Sequence, residues 1–335
     1  MLSFADETKR RIPRPRGLAE ISFCTEEKIE LDGNPEKKVS GVSSLQWAGK
    51  NDLAFCIYEG VQGIKAIADS EAGILLCKKS LIGSVSAKEG CLLLFLDNPR
   101  LVFVHFVNKE MENSCSRPRI APAASVSRTA QIGRNCVIGD HVTIGDGCFI
   151  GDNVIIEQGA TIRHCVLGDG CIIQTGVAIG SDGFAYERHP DGRLERFPHF
   201  GGARIGSNVE ICANSSIARG SLQDTVIGNN TKIDALVHIA HNVSIGENCQ
   251  LAAGTIIGGS TRLGNSCWTG LNSTLKNQIT IGDNVLVAAG ACVISNVPNC
   301  DVVAGVPAKS IKDKVKTDEL FIMTSKTRAQ LTSSV

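Results

Sequence analysis

Aromatic residues and unbalanced charge are both scarce in this sequence of 335 residues. Only 4% of the side chains are aromatic, which disfavours a globular core built from large rings. Lys plus Arg and Asp plus Glu number 34 each, so the formal net charge is zero. The short run "KRRIPRPR" at residues 9–16 is interpreted as part of a solvated N-terminal arm, and no nucleic-acid partner is expected.

Long apolar stretches are missing as well. No window approaches about 18 uninterrupted apolar residues, the length of a membrane-spanning helix. The N-terminus also lacks the apolar region that a secretory signal contains. We therefore expect a soluble, cytoplasmic protein that does not span a membrane.

Cysteine is frequent, with 14 residues, but no two of them form a CxxC pair. Cysteines scattered through a long chain without an export signal are expected to stay reduced. A free cysteine packs as a small hydrophobe. Most are therefore interpreted as core residues at repeat positions, such as Cys249 and Cys267.

Glycine, with 35 residues, is abundant, and the second half of the sequence has a six-residue period. An aliphatic residue recurs at this spacing from residue 126, with a break over residues 181–203 and one threonine, Thr269, in the series. This period fits neither an α-helix nor simple strand alternation. The series runs through Val126, Ile132, Ile138, Ile144, Ile150, Ile156, Ile162, Leu167, Ile173, Ile179, Ile205, Ile211, Ile217, Leu222, Ile227, Ile233, Ile239, Ile245, Leu251, Ile257, Leu263, Leu275, Ile281, Val287 and Val293.

A six-residue period predicts a parallel β-helix in which each hexapeptide forms one flat face and its aliphatic anchor points inward. Glycine with a following Asp or Asn, as in "IGDN", suits the corners. The preceding residues mix strand-like and helix-like runs, which indicates a small α/β domain. The prediction divides the chain into an N-terminal arm (1–19), a small α/β domain (20–110), a linker (111–123), a β-helix (124–307) with an excursion (181–203), and a C-terminal helical tail (308–335).

Three motifs in a fixed order carry a family resemblance: "IGSDGFAYE", "VEICANSSIARGSLQDTVIG" and "KIDALVHIAHNVSIG". Together with the repeat, they make residues 20–310 resemble the UDP-3-O-(3-hydroxyacyl)glucosamine N-acyltransferases of lipid A biosynthesis. The resemblance implies a left-handed β-helix and a homotrimer. It also implies transfer of an acyl chain from the phosphopantetheine of acyl carrier protein to the 2-amine of a UDP-amino sugar, without a separate cofactor.

The resemblance implies that His241, the histidine of "IAHNV", is the general base. A histidine suits this role because its pKa lies near the working pH, so it can accept the proton of the attacking amine. Asp234 matches the family's acidic residue, which implies that it orients the base. His238 completes an HxxH pattern, but no third ligand stands at a metal-site spacing, so we predict a substrate contact and no metal.

Further contacts are expected on both sides of the reaction. The family's uracil-binding segment appears as "FCIYEGV", with Phe55 retained and Tyr58 and Val61 in place of an Asn and a Tyr. Acceptor contacts are also expected from Phe184 and Tyr186 in the excursion and from Asn242. The residues predicted to meet the donor are Arg219, Gly258 and Lys309.

Two features leave other functions open. The family's "DRG" reads "ARG" here, and Asn277 and Gln278 replace its later Gly-His pair. The ending "VVAGVPAKSI" resembles that of acetyl-CoA-dependent hexapeptide enzymes. The alternatives are therefore an acetyl-CoA-dependent N-acetyltransferase acting on a UDP-amino sugar, and a non-catalytic β-helix scaffold or binding subunit.

Overall fold

The computed structural model describes residues 11–112 and 118–314. The chain divides between Cys115 and Ser116 into two compact units. This boundary falls inside the predicted linker, residues 111–123. Each unit has its own hydrophobic core. Among the described residues, every helix is too short or too polar to cross a lipid bilayer.

The first unit is a six-stranded sheet with helices. Strands β3 to β6 are parallel neighbours in chain order, and β1 and β2 pair antiparallel at the two edges. The five apolar residues of β6 are all buried, as expected for a central strand covered on both faces. The elements are β1 Arg11–Arg16, α1 Leu18–Ser22, β2 Glu30–Gly33, β3 Val39–Val42, β4 Asp52–Phe55, α2 Gly60–Asp69, β5 Ile74–Lys78, a 3-10 turn Lys79–Leu81, β6 Leu92–Leu96 and α3 Pro99–Glu112.

The prediction of a solvated N-terminal arm is wrong for the residues that form β1 and α1. Strand β1 pairs with β3, and its Ile12 is buried while Arg11 and Arg14 stay exposed. An edge strand tolerates the two prolines of "RIPRPR", because one side of its backbone needs no ladder partner. The prediction of a solvated arm followed from the basic residues of this run and gave no weight to its single isoleucine, which is buried.

The second unit is the predicted parallel solenoid, built from three flat faces. Face one holds β7 Arg119–Ile120, β10 Val137–Ile138, β13 Ile155–Ile156, β16 Ile172–Ile173, β21 Glu210–Ile211, β24 Lys232–Ile233, β27 Gln250–Leu251, β30 Trp268–Thr269, β33 Leu286–Val287, β35 Val302–Ala304 and β36 Lys309–Ser310. Face two holds β8 Ser125–Val126, β11 Thr143–Ile144, β14 Thr161–Ile162, β17 Ala178–Ser181, β22 Ser216–Ala218, β25 His238–Ile239, β28 Ile256–Ile257, β31 Thr274–Leu275 and β34 Cys292–Val293. Face three holds β9 Gln131–Ile132, β12 Phe149–Ile150, β15 Cys165–Leu167, β20 Ala203–Ile205, β23 Thr225–Ile227, β26 Ser244–Ile245, β29 Arg262–Leu263 and β32 Thr280–Ile281.

The aliphatic anchors stack in register from coil to coil and form one continuous core. Ile239, for example, pairs with Ile217 below it and with Ile257 above it. Thr269 keeps its place in the stack because its buried hydroxyl lies 3.0 Å from that of Thr255. The hexapeptide period is thus confirmed as the organising pattern of this unit.

One predicted anchor is wrong. Leu222 is 68% exposed, and the face resumes with β23, where Thr225 and Ile227 are buried. The extra residues between β22 and β23 form a bend outside the coil, so the leucine has no inward position to occupy.

The excursion and the C-terminal end complete the solenoid. The excursion carries an antiparallel hairpin of β18 Tyr186–Arg188 and β19 Leu194–Arg196. The tail was predicted to be helical from residue 308, but Lys309–Ser310 is a strand paired antiparallel with β35, followed by one 3-10 turn, Lys312–Lys314. The strand follows from backbone pairing with the last coil. The rest of the predicted helix lies outside the described residues.

Candidate active site

His241 lies at the corner that follows β25, in a slot bounded by two glycines. A Cβ added at Gly183 would lie 2.6 Å from the Cβ of His241. A Cβ added at Gly259, one coil further along, would lie 2.8 Å from its Nε2 atom. Only glycine fits on either side, so the excursion and the next coil together fix where the imidazole can lie.

The electrostatic environment of His241 favours a neutral ring. Burial lowers the pKa of His241, the neighbouring ring of His199 lowers it further, and Asn242 and the Phe184 backbone oppose these effects. The Nδ1 atom is enclosed and has no hydrogen-bond partner among the described residues. The imidazole is therefore uncharged near neutral pH and can accept a proton.

Gly258, which was predicted to meet the acyl donor, differs from the adjacent Gly259 in its backbone pairing. The N–H of Gly258 already donates to the carbonyl of Leu275 at 2.9 Å, so it cannot bind a substrate oxygen. The N–H of Gly259 has no acceptor within the described part of the chain, and this residue borders Nε2 of His241. A free backbone N–H beside a base is the arrangement needed to stabilise an oxyanion.

Arg219 supports the excursion. Its Nε donates to the carbonyl of Gly201 at 2.7 Å, and its Nη1 lies 3.8 Å from the carboxylate of Asp182. Asp182 also accepts a hydrogen bond from Arg196 at 2.8 Å. With 11% of its side chain exposed, Arg219 connects the start and the end of the excursion. The prediction that it meets the acyl donor has no contact in the described residues that supports it.

Asn242 has a similar supporting position. Its Oδ1 accepts the N–H of Ser221 at 2.6 Å, and the carbonyl of Ser221 accepts the N–H groups of Phe200 and Gly201. The predicted substrate contact of Asn242 would compete with these bonds. The structure instead places the amide at the exit of the excursion, next to His241.

His238 and the two excursion aromatics are exposed. His238 stands on face two between Ser216 and Ile256 of the adjacent coils. Phe184 is 87% exposed and contacts Tyr186 edge to face, with 5.1 Å between the ring centroids. In the described residues no group of three or more metal-ligating side chains occurs, so HxxH is not part of such a cluster.

Asp234 does not contact His241 within one chain. Its carboxylate accepts the N–H groups of Ala235 at 2.7 Å and Ala253 at 3.1 Å. β25 separates the two residues, which lie at the two ends of the same face. Asp234 instead borders a mainly apolar groove of about 500 Å³ on face one, together with Trp268 and Leu271.

The remaining predicted contacts lie far from His241 in sequence. In the first unit, the ring of Phe55 packs on Phe103 at 4.9 Å, while Tyr58 and Val61 are exposed. Lys309 is exposed on β36. None of these residues has a contact that assigns it to a substrate.

The sequence reasoning missed His199 and Gly183. His199 is buried and contacts both Gly183 and the ring of His241. A histidine inside an irregular excursion has no periodic position, so no pattern indicated that it would be buried. The only available signal was the glycine in "SDGF", which precedes the exposed aromatics.

Three family models match parts of the solenoid. They describe the bacterial transferase hexapeptide (residues 224–259), the hexapeptide repeat of succinyl-transferase (260–295) and a GMPPB C-terminal domain (118–184). A UDP-3-O-acylglucosamine N-acyltransferase of Campylobacter lari is 36% identical over 299 residues, which cover 86% of this chain and 92% of that protein. The protein of the same name from Bordetella parapertussis is 38% identical over 135 residues, and the match spans 37% of its length.

A solved structure has the same fold. The UDP-N-acetylglucosamine acyltransferase from Campylobacter jejuni superposes with a TM-score of 0.53 at 23% identity. The match covers 64% of this chain and 90% of that one. At this identity the comparison supports the solenoid architecture alone.

Proposed function

The chain belongs to the UDP-3-O-acylglucosamine N-acyltransferase family, and we propose on this basis that it transfers an acyl chain from acyl carrier protein to a sugar amine. The acceptor is the 2-amino group of a UDP-3-O-acyl-glucosamine-type sugar. An amide N–C bond forms, the thioester C–S bond breaks, and the phosphopantetheine leaves as a thiol. The proton lost by the amine is thus returned to the sulfur.

The slot around His241 is the observation that carries this proposal. A neutral imidazole beside Gly259 can take the proton from the amine as it attacks the thioester carbonyl. The carbonyl oxygen gains negative charge in that step, and the free N–H of Gly259 is placed to donate to it. The resulting imidazolium then protonates the departing thiolate.

The groove beside Asp234 supports a donor with a long acyl chain. Trp268, Leu271 and Ala289 give it an apolar lining, and an extended hydrocarbon gains stability by leaving water in such a groove. The carboxylate of Asp234 would accept a hydrogen bond from a hydroxyl group on that chain. We therefore propose that Asp234 acts on the acyl substrate, since its position does not allow it to orient His241 within one chain.

A complete site requires two subunits. His241 and the groove beside Asp234 lie on different sides of the solenoid of one chain. A cyclic trimer brings different sides of neighbouring subunits together. We propose a homotrimer in which His241 of one subunit faces the groove of the next subunit. The exposed ring of Phe184, at the start of the excursion, would then line the cleft.

Mixing two inactive variants tests this arrangement. His241→Ala and Asp234→Ala homotrimers are each expected to be nearly inactive. Mixed trimers, purified through two different affinity tags, should regain about a third of wild-type activity, because one of the three interfaces combines two intact halves. Mixed trimers as inactive as their parents would contradict a shared site, and light scattering would show whether the mixed trimers form.

The donor and acceptor can be identified from the products. The protein is incubated with UDP-3-O-acyl-glucosamine or UDP-glucosamine and, separately, with acyl carrier proteins of several chain lengths or with acetyl-CoA. Mass spectrometry should detect an N-acyl product with acyl carrier protein and the 3-O-acylated sugar. Turnover with acetyl-CoA alone would favour the N-acetyltransferase alternative.

A further inference from the structure

His199 joins the two arms of the excursion directly beside His241. The N–H of Gly183, in the first arm, donates to Nε2 of His199 at 3.1 Å. Nδ1 of His199 lies 3.0 Å from the carbonyl of Phe197, in the second arm. The side chain is buried, although it belongs to a segment that is mostly exposed. One imidazole therefore spans the excursion where it passes the proposed base.

These two contacts fix the protonation state of His199. Nε2 accepts a hydrogen bond from an amide, so it carries no proton. A carbonyl can only accept, so Nδ1 must carry the proton and donate it to Phe197. The ring is thus neutral with one defined tautomer. A second proton on Nε2 would remove the acceptor of the Gly183 N–H.

The residues that His199 binds in the first arm of the excursion lie against His241. The ring of His199 meets that of His241 edge to face, with 6.0 Å between the centroids. Gly183 forms one wall of the His241 slot, and the Phe184 backbone acts on the imidazole. Displacement of Gly183 and Phe184 would therefore release the ring of His241 on one side. Asp234, the expected orienting residue, provides no such contact within the chain.

Other bonds hold the bases of the excursion but do not reach Gly183. Arg219 ties Asp182 to Gly201, and Ser221 ties Phe200 and Gly201 to the adjacent coil. Removal of the His199 side chain should therefore free the segment around Gly183, while the solenoid and the two ends of the excursion stay folded. This separation makes a selective test possible.

We propose that His199 is a positioning residue for the transfer reaction: its neutral imidazole clasps both arms of the excursion and so holds Gly183 and Phe184 against His241. This inference rests on the proposed function, because it assigns His199 a role through the base of that reaction. His199 itself need not touch either substrate.

Three substitutions of His199 show whether its two hydrogen bonds, or only its volume, hold the excursion in place. His199→Leu removes both polar contacts at similar volume, and His199→Asn is too short to reach Gly183. Both should lower kcat about 10- to 100-fold with little change in KM, because a displaced base affects the transition state more than binding. His199→Gln can still accept the Gly183 N–H and should recover most of that rate. His189→Gln, in the exposed hairpin, is the matched control and should match wild type.

Hydrogen exchange gives a readout that does not depend on activity. Peptides covering residues 182–186 should exchange at least about tenfold faster in His199→Leu than in wild type, because the amide of Gly183 has lost its acceptor. The same peptides should stay protected in His189→Gln and largely protected in His199→Gln. Circular dichroism and the thermal midpoint verify that each variant keeps the solenoid.

The pH profile provides a third measurement. The ring of His199 beside His241 disfavours the charged form of His241 and so lowers its pKa. The charged groups nearby, Asp182, Arg196 and Arg219, are bonded to one another and remain in every variant. In His199→Gln the acid limb of kcat/KM should therefore move to higher pH.

The outcomes distinguish this inference from the function on which it rests. Wild-type kcat in His199→Leu, unchanged exchange at residues 182–186, or a His199→Gln variant as impaired as His199→Leu would each overturn the clasp. If the wild-type protein transfers no acyl group to any sugar amine, the proposed function fails. The exchange experiment would then still report whether His199 holds the excursion.

Discussion

His241→Ala is expected to lower kcat by about 10²- to 10⁴-fold, the usual contribution of a general base. The expected loss is large because Asn277 and Gln278 stand where the family has its second histidine, so no histidine at that position can replace the base. Steady-state kinetics with acyl carrier protein and the 3-O-acylated sugar would measure it. KM should change much less than kcat.

The controls for His241→Ala are a second corner histidine and a test of folding. His141 lies at an exposed corner with a φ of 59°, and His141→Asn keeps a residue that accepts this conformation. This variant should retain wild-type kcat. A His241→Ala variant that keeps more than about a tenth of wild-type kcat would show that His241 is not the general base.

Gly259→Ala is expected to lower kcat about 10²-fold while the protein stays folded. The added methyl group would lie 2.8 Å from Nε2 and from Cε1 of His241, so the imidazole has to move or the slot is blocked. The backbone of Gly259 is not left-handed, so alanine adds no conformational strain there. Kinetics and thermal unfolding of the same preparation separate the two effects.

Gly145→Ala is the matched control for Gly259→Ala. Gly145 is also a corner glycine of the solenoid, but an added Cβ would have as its nearest neighbour the flexible side chain of Arg163, at 3.3 Å. Its kcat should equal that of wild type. Equal activities of the two variants would mean that the space beside Nε2 is not used in the reaction.

The contrast between Gly258 and Gly259 shows the limit of sequence reasoning at this site. Both residues belong to the same "GG" pair, and nothing in the composition distinguishes their backbone N–H groups. The ladder of the solenoid uses the N–H of Gly258, whereas that of Gly259 has no acceptor among the described residues. Only the backbone pairing between coils decides which of the two groups is free.

The pairing of Asp234 with His241 shows the same limit at longer range. The resemblance implied that Asp234 orients His241, but the motif does not show that the carboxylate binds the N–H groups of Ala235 and Ala253 and that β25 lies between the two residues. Similarly, Ile12 and Leu222 have burials opposite to those that their surroundings in the sequence indicated. Ile12 and Leu222 lie where the period is absent or interrupted.

The sequence by itself determined the solenoid, its anchors and the position of His241. A period of six leaves one way to bury an aliphatic residue on every face, and the motif around His241 has a fixed place in that period. The tertiary structure alone decided what surrounds the imidazole. Gly183 and His199 come from an excursion outside the repeat. Their contacts with His241 depend on hydrogen bonds between the His199 side chain and the backbone of the loop, which no local pattern encodes.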